Sequence, residues 1–352
     1  MGVEEIEVED PQEGEVKIKM TASGVCHSCL HAADGSWDRF DDAMPLVLGD
    51  EGAGVVDKVG AGVHSIQPGD HVVLSWSPSC GLCRHCAVGK PALCLNRAPV
   101  GQILGGHTRF RWQGKPAYHF GATGTYAPAT TIHHSQAIKI DDDVDLETAA
   151  LIGCSVTTGV GAVLNTAQVP AGAPIAVWGA GGIGLNVVQG GVLAGAWPII
   201  AVDIDPGKLD MAADFGATHG VDASKEDPVE AVNRITNGGA DFTFVAVGHM
   251  PAAEQAWNAL AKSGLCVVIG LGPSGGKVAV DNFELISKER RLAGSFYGSA
   301  QPLNDFPRFV DLYKAGRLKL DELVTKRYSV YEANEAFEDM KAGKVARGLI
   351  VF

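Results

Sequence analysis

A chain of 352 residues, 46% of them hydrophobic and 20% charged, has the length of about two domains and enough apolar material to bury a large core. Its formal charge of −13 disfavours nucleic acid and anionic membrane surfaces, both of which attract basic patches. The opening stretch, Met1–Asp10, is acidic and lacks the apolar core of a secretory signal, so a cytoplasmic protein is expected.

From the N-terminus to about residue 155 the chain reads mostly as strands. Glu15-Val16-Lys17-Ile18-Lys19-Met20 alternates polar and apolar residues, the period of a half-buried strand. Val55–Val59 and His71–Leu74 are further strand candidates, set apart by turns such as Pro68-Gly69-Asp70. Between them lie residues of ligand type. Gly24-Val25-Cys26-His27-Ser28 puts a cysteine in a predicted loop, and Gly49-Asp50-Glu51-Gly52 sets two carboxylates just before a strand. By themselves Asp50-Glu51 also read as a turn and a solvated charge, as Cys154 further on reads as a small buried residue.

Cys80, Cys83, Cys86 and Cys94 follow with the spacing C-x2-C-x2-C-x7-C. Thiolates so close in sequence converge on one point when something tetrahedral holds them, and Zn²⁺ with four sulfur ligands is the usual occupant. A site filled by four protein ligands has no position for a substrate, so this zinc is expected to be structural, in a lobe of about residues 78–96. A pair of disulfides is the competing reading, and the lack of a secretory signal weighs against it. Gly153-Cys154-Ser155 supplies one more cysteine where the strand-rich part ends.

From about residue 156 the pattern changes to strands alternating with helices. Ile175–Trp178, Ile199–Asp203, Asp241–Val247 and Leu265–Gly270 read as strands, and Pro206–Phe215 and Pro251–Leu260 as helices between them. This alternation predicts a doubly wound parallel sheet. Gly172–Val202 contains no charged residue and is long enough to span a bilayer, yet Pro174 and Pro198 interrupt it. A strand, a helix and a second strand buried in a parallel sheet explain it better. After about residue 297 the chain is mixed again, with amphipathic helices expected over Phe306–Ala315 and Tyr331–Ala342 and a closing strand over Gly348–Phe352.

Gly179-Ala180-Gly181-Gly182-Ile183-Gly184 is a G-x-G-x-x-G run placed directly after a predicted strand and opening a helix. Gly179 suits a tight turn, Gly181 lets a pyrophosphate approach the backbone, and Gly184 permits close packing of helix on strand. The next strand ends at Asp203, 19 residues after Gly184. A carboxylate there accepts hydrogen bonds from ribose hydroxyls and repels a 2′-phosphate, which favours NAD over NADP. Lys208, one turn into the following helix, lies within reach of the same ribose.

The order of these motifs, with a closing Gly343-Lys344-Val345-Ala346-Arg347, resembles the zinc-dependent medium-chain alcohol dehydrogenases over nearly the whole chain. The stretch Leu95–Tyr126 resembles the longer-loop branch, which includes the class III and aryl-alcohol enzymes. The resemblance implies a GroES-like β-rich catalytic domain of about 1–155 plus 297–352, and a Rossmann domain of about 156–296. It implies that Cys26 and Cys154 ligate a catalytic zinc and that Glu51 is the glutamate behind it. Ser28 would take the alcohol proton, and His31 would pass it to solvent through the cofactor ribose. His27 and Arg347 match positions that contact the pyrophosphate, Thr158 and Ile183 positions that back the nicotinamide, and Trp76 an aromatic wall of the substrate pocket. Val278-Ala279-Val280 resembles the edge strand that pairs two subunits, so a homodimer is expected, with a tetramer as the larger alternative.

Two positions depart from the family. Asp50 stands where the family has histidine, and Cys29 where it usually has aspartate. Carboxylate is an acceptable zinc ligand, and a carboxylate, unlike histidine, has no ring N–H in need of an acceptor, so a thiol at position 29 is tolerable. Cys29 could also ligate, or form a redox pair with Cys26. The family also carries another strand's worth of residues before the segment resembling Val3–Val8, which predicts an exposed edge. The function expected is reversible oxidation of a primary or aromatic alcohol by NAD⁺. Two alternatives stand beside it: a metal-free or zinc-altered reductase of activated C=C or C=O bonds using NADH, and a non-catalytic NAD-binding protein.

Overall fold

A computed structural model describes residues 1–272 and 275–352. It divides the chain into two units, Met1–Cys154 with Gln301–Phe352, and Ser155–Ala300.

The strands of the first unit are β1 (Glu7–Val8), β2 (Glu15–Gly24), β3 (Leu46–Val47), β4 (Gly52–Val59), β5 (His71–Leu74), β6 (Phe110–Trp112), β7 (Lys115–His119), β8 (Ala129–His133) and β9 (Ala137–Lys139). The second unit contributes β10 (Ile175–Trp178), β11 (Ile199–Asp203), β12 (His219–Asp222), β13 (Ala240–Val245), β14 (Leu260–Val268) and β15 (Arg291–Gly294). The closing part of the chain returns to the first unit with β16 (Val324–Tyr328) and β17 (Arg347–Val351).

In the first unit the main sheet runs β16-β17-β2-β4-β5-β9, with β8 also paired to β2. The alternation seen along β2 is what builds its core. Val16, Ile18 and Met20 are buried on one face, and they pack with Val56, Val72, Leu74 and Ile132. A smaller sheet, β1-β6-β7-β3, carries the N-terminal strand on its edge. There Glu9 receives Arg111 at 2.8 Å, and the buried pair Glu15–Arg109 closes at 2.7 Å.

The second unit is a six-stranded parallel sheet in the order β12-β11-β10-β13-β14-β15, the doubly wound arrangement expected from the strand–helix alternation. Its helices start where side chains cap them. Asp205 accepts from Gly207 N at 2.9 Å ahead of Pro206–Asp214, and Asp227 accepts from Val229 N at 2.7 Å ahead of Pro228–Thr236. Gly172–Val202 is a strand, a helix (Gly182–Ala194) and a second strand, and among the described residues no single helix is long and apolar enough to cross a membrane. Cys266, on β14, is fully buried in the apolar layer with Ala176, Trp178 and Trp257.

Some boundaries differ from expectation. Tyr297–Ala300, expected with the catalytic domain, belong to the second unit, where Gly298 takes Asn165 Nδ2 on its carbonyl at 3.3 Å and has no room for a side chain beside Thr157 and Gly161. β14 begins five residues before the predicted Leu265 because Ser263 takes a positive φ of 61° and lets the strand continue through an irregularity. Val278–Val280 form no strand within the single chain, although Val278 and Val280 pack on the core of this sheet.

Candidate catalytic metal centre and dinucleotide turn

Three chain segments of the first unit converge on one buried point. Cys26 caps the start of the helix His27–Ala33, directly after β2. Asp50 sits in the turn before β4, where Gly49 holds φ at +99° and a Cβ would strike Thr125 and Tyr126, a place only glycine fits. Cys154 follows the short helix Ala150–Gly153. Their ligand atoms all lie within 4.8 Å of one another, and the three residues are 7%, 4% and 7% exposed. Cys154 Sγ is 3.9 Å from Asp50 Oδ2. Tetrahedral zinc with bonds of about 2.3 Å to sulfur and 2.0–2.2 Å to oxygen sets neighbouring ligand atoms roughly 3.5–3.8 Å apart, so the spacing fits.

The protonation chemistry of the cluster also fits a dication. The hydrogen bond from Cys154 holds the Cys26 thiol well below its ordinary value, against burial and with help from the Arg347 charge. The same hydrogen bond, and burial, push Cys154 up, while burial and the Cys26 charge push the Asp50 carboxyl up. A metal ion binding there would displace whatever protons these groups carry. Three protein ligands leave a fourth position open, the form taken by catalytic rather than structural zinc.

Cys29 is one turn into the same helix and fully buried. It is not among the converging ligand atoms. Its thiol donates to Asp50 Oδ1 at 3.6 Å, and none of the eight cysteines is joined in a disulfide. In this structure Cys29 stands as a hydrogen-bond partner of Asp50.

Glu51 and Arg347 are buried and form an ion pair. Arg347, expected at the pyrophosphate, is thus a partner of Glu51 in this structure. Gly24 makes room for this pair, since a Cβ there would strike the Glu51 carboxylate. Ser28 and His31 stand three residues apart on the helix that starts at Cys26, and so share a face. His31 Nδ1 is buried without a hydrogen-bond partner, and its ring lies 5.2 Å from that of Trp37. His27 is exposed.

Trp76 is half-buried against the cluster that contains Cys26, Cys154, Phe40 and Phe120. Gly121, with φ at +57°, brings it beside Asp50. A Cβ on Gly121 would stand 3.1 Å from Asp50 Cβ and 3.2 Å from Trp76 Cβ. Sequence reading missed Gly121, which is one of several glycines in a long loop with no periodicity to single it out.

The four-cysteine lobe is assembled as expected. The sulfur atoms of Cys80, Cys83, Cys86 and Cys94 converge, with Cys83 Sγ 3.5 Å from Cys86 Sγ and 3.9 Å from Cys94 Sγ. Backbone N–H groups point at the sulfurs, Cys83 N at Cys80 Sγ (3.3 Å) and Leu95 N at Cys83 Sγ (3.4 Å), and such donors favour thiolate. Backbone donors at Cys86 and Leu95 bring Cys83 down to about 6.

In the second unit the glycine-rich turn has the shape its spacing predicts. Gly179 holds φ at +93°, with Val247 where a side chain would go. Gly184 lies against the Gly179 carbonyl oxygen, so only hydrogen fits there. A Cβ on Gly181 would meet nothing within 4 Å, so the backbone at the helix start, with Gly182 following, faces open space of the kind a pyrophosphate fills. Asp203 at the end of β11 accepts from Ala180 N at 2.8 Å and from Ile204 N at 2.8 Å, which ties this carboxylate to the turn itself. Lys208 is half-buried in the helix after it. Gly159 lets the helix Ser155–Gly161 approach Ile183 O and Asn186 closely, and this sets half-buried Thr158 near half-buried Ile183.

Comparison with known proteins agrees with this geometry. Residues 12–142 match the alcohol dehydrogenase GroES-like domain, and residues 182–315 match the zinc-binding dehydrogenase family. The chain is 42% identical over 356 residues to an NDMA-dependent alcohol dehydrogenase of Amycolatopsis methanolica, covering 99% of this chain and 95% of that one. It is 35% identical to an alcohol dehydrogenase class-3 of Dictyostelium discoideum, covering 99% and 93%. The crystal structure of benzyl alcohol dehydrogenase from Acinetobacter calcoaceticus superposes with a TM-score of 0.93 at 32% identity, covering 99% and 94%. The fold and both sites define a zinc-binding dehydrogenase built from a GroES-like and a Rossmann-type unit. The chain belongs to the zinc-dependent medium-chain alcohol dehydrogenase family.

Proposed function

We propose that this protein oxidises a primary or aromatic alcohol to the aldehyde, reversibly, with NAD as the hydride acceptor. One observation carries the reading: Cys26, Asp50 and Cys154 converge as three buried ligands with a fourth position open. Cys26, Asp50 and Cys154 would hold a catalytic zinc, and Cys80, Cys83, Cys86 and Cys94 a structural one. Bound zinc supplies a Lewis acid that stabilises negative charge on the substrate oxygen. Bound NAD supplies the hydride chemistry.

The chain's own residues do the rest. Ser28 lies two residues from Cys26 and accepts the proton of the alcohol, and His31, one helical turn on, passes it outward. Histidine suits that task because its ordinary pKa lies near neutrality. Trp76, beside Asp50, offers an aromatic wall, which supports an apolar or aromatic alcohol as substrate. Arg347 neutralises Glu51 and tempers the negative charge of a ligand set richer in carboxylate than the family's. Gly179, Gly181, Gly182 and Gly184 would hold the pyrophosphate together with His27 and Arg347, Asp203 and Lys208 the adenosine ribose, and Thr158 and Ile183 the nicotinamide. Asp203 favours NAD over NADP because its charge repels a 2′-phosphate.

Metal analysis should give about two zinc ions per chain, and Cys154→Ala should abolish alcohol oxidation while retaining about one. Full activity in Cys154→Ala overturns the proposal. A wild-type count of about one zinc supports a metal-free reductase instead. Tight NADH binding with no turnover across a panel of alcohols and aldehydes supports a non-catalytic role. A homodimer is part of the same proposal, supported by exposed Leu271, Phe283 and Ile286 close in sequence to Val278–Val280. Light scattering at micromolar concentration tests it, and a monomer there overturns it. A cytoplasmic location is likewise proposed, and fractionation of the producing cell checks it.

A further inference from the structure

We infer that Cys29 is a positioning residue for the catalytic metal: its thiol hydrogen bonds to Asp50 Oδ1 and holds that carboxylate as a one-oxygen ligand, with Oδ2 turned to the metal. The inference rests on the reading of Asp50 as a ligand. Asp50 has two chemically equal oxygens, and a free carboxylate in a pocket with three ligand groups can bind a dication through either or both. The structure breaks that symmetry. Oδ1 faces the Cys29 sulfur at 3.6 Å, whereas Oδ2 faces the ligand Cys154 at 3.9 Å.

Cys29 is held for this role from two sides. Its backbone N–H bonds to Cys26 O at 3.1 Å, which fixes it one turn along the helix that begins at a ligand. Its sulfur is also hydrogen-bonded by the backbone at Gly49, next to Asp50 itself. It is 0% exposed, so no water competes for Oδ1 from that side. A thiol is a weak donor, which suits the place. It orients the carboxylate while leaving most of the charge for the metal, where a cation at position 29 would neutralise it. The polarity is opposite to that of a histidine ligand, which donates its second ring N–H outward to an acceptor. Here the ligand accepts and the residue behind it donates. The pairing of Asp50 with Cys29 is then one device rather than two independent substitutions.

The test uses the full-length holoprotein, titrated with Zn²⁺ against a competing chelator, and with Co²⁺ as a spectroscopic probe in the catalytic site. Retention of the four-cysteine zinc serves as an internal control for folding. Cys29→Ala should weaken Zn²⁺ at the catalytic site by about 10–100-fold and change the Co²⁺ absorption bands, since orienting partners of metal ligands have effects of this size. Cys29→Ser, whose hydroxyl also donates, should recover both to near wild type. Wild-type affinity and an unchanged spectrum in Cys29→Ala overturn the inference and leave the ligand reading of Asp50 standing. Equal weakening in the alanine and serine variants also overturns it, because the loss is then one of packing. Wild-type Zn²⁺ affinity in Asp50→Asn instead overturns the ligand reading itself.

Discussion

Glu51 and Arg347 form an ion pair with both side chains out of water, at 0% and 6% exposure. Neither is a metal ligand, yet the Arg347 charge acts on Cys26, after the Cys154 hydrogen bond and burial, to keep that thiol low. Removing one partner of a buried pair leaves the other charged and unsolvated, at a cost of about 3–5 kcal/mol. Glu51→Gln and Arg347→Met should each destabilise the first unit by about that much, and the double variant by clearly less than the sum of the two. Urea unfolding followed by fluorescence measures all three. Strict additivity would show that the pair does not interact.

The glycine-rich turn allows a test that separates binding from folding. Gly181→Ala places a methyl group in space that nothing in the protein occupies, so thermal stability should stay within about 0.5 kcal/mol of wild type. The same methyl stands where the pyrophosphate would come, and NADH affinity should fall about tenfold or more, read by cofactor fluorescence. Gly184→Ala is the contrast. Its methyl meets the Gly179 carbonyl oxygen, so stability itself should drop. Unaltered NADH affinity in Gly181→Ala would remove the turn from the cofactor site.

For Asp203, charge is the variable. Its carboxylate accepts from Ala180 N, Ile204 N and Asp205 N, so Asp203→Asn keeps the size but weakens these bonds and lifts the repulsion of a 2′-phosphate. The ratio of kcat/KM for NAD over NADP should fall by about 10–100-fold, the value of one charged hydrogen bond. An unchanged ratio would place cofactor choice elsewhere.

His119 gives a pH dependence. It is fully buried, stacks on Phe110 at 4.1 Å between ring centroids, and accepts Arg109 N on Nε2. Burial lowers its pKa from 6.5 to about 3. The folded state resists the proton that the unfolded chain takes up below 6.5, so stability is full above that value and falls as the pH drops toward 3. The slope is about 1.4 kcal/mol per pH unit for one proton. In the difference between wild type and His119→Gln, the urea-derived stability should lose one proton's worth of slope between pH 6.5 and 4.5. Identical slopes would mean that His119 is charged in the fold.

The cysteine lobe should behave as a separable staple. Cys83→Ala should lower the zinc count by about one per chain and open residues 80–96 to protease. Alcohol oxidation should persist in the fraction that stays folded. Loss of both metals together, with no cleavage in the lobe, would argue against independent sites.

Much of the architecture was legible in the sequence because local signals and the fold agree. The alternation in Glu15–Met20, the strand before Gly179 and the spacing of Cys80, Cys83, Cys86 and Cys94 each reflect a short-range constraint: a pleat, a tight turn, a tetrahedron. Strands such as His219–Asp222 and Arg291–Gly294 passed unread. His219–Asp222 has little apolar pattern, and Arg291–Gly294 sits at a partly exposed sheet edge, so pairing with a neighbour rather than composition makes them strands. In the site, ligand identity was readable and the partners behind it were not. Cys29 and Asp50 are 21 positions apart, and Glu51 and Arg347 are joined across nearly the whole chain. Nothing local in either member announces the other.

The placement of thiols has a practical consequence. Seven of the eight cysteines, Cys26, Cys29, Cys80, Cys83, Cys86, Cys94 and Cys154, lie in the first unit, and Cys266 is the single one in the second. Burial raises Cys266 to about 11 as well as shielding it. A thiol reagent applied to the folded holoprotein therefore has no target in the six-stranded sheet until that sheet parts around β14. The protein carries its own single reporter thiol for the opening of one half, and the rate at which the reagent modifies Cys266, read by peptide mass, counts those openings without any introduced cysteine.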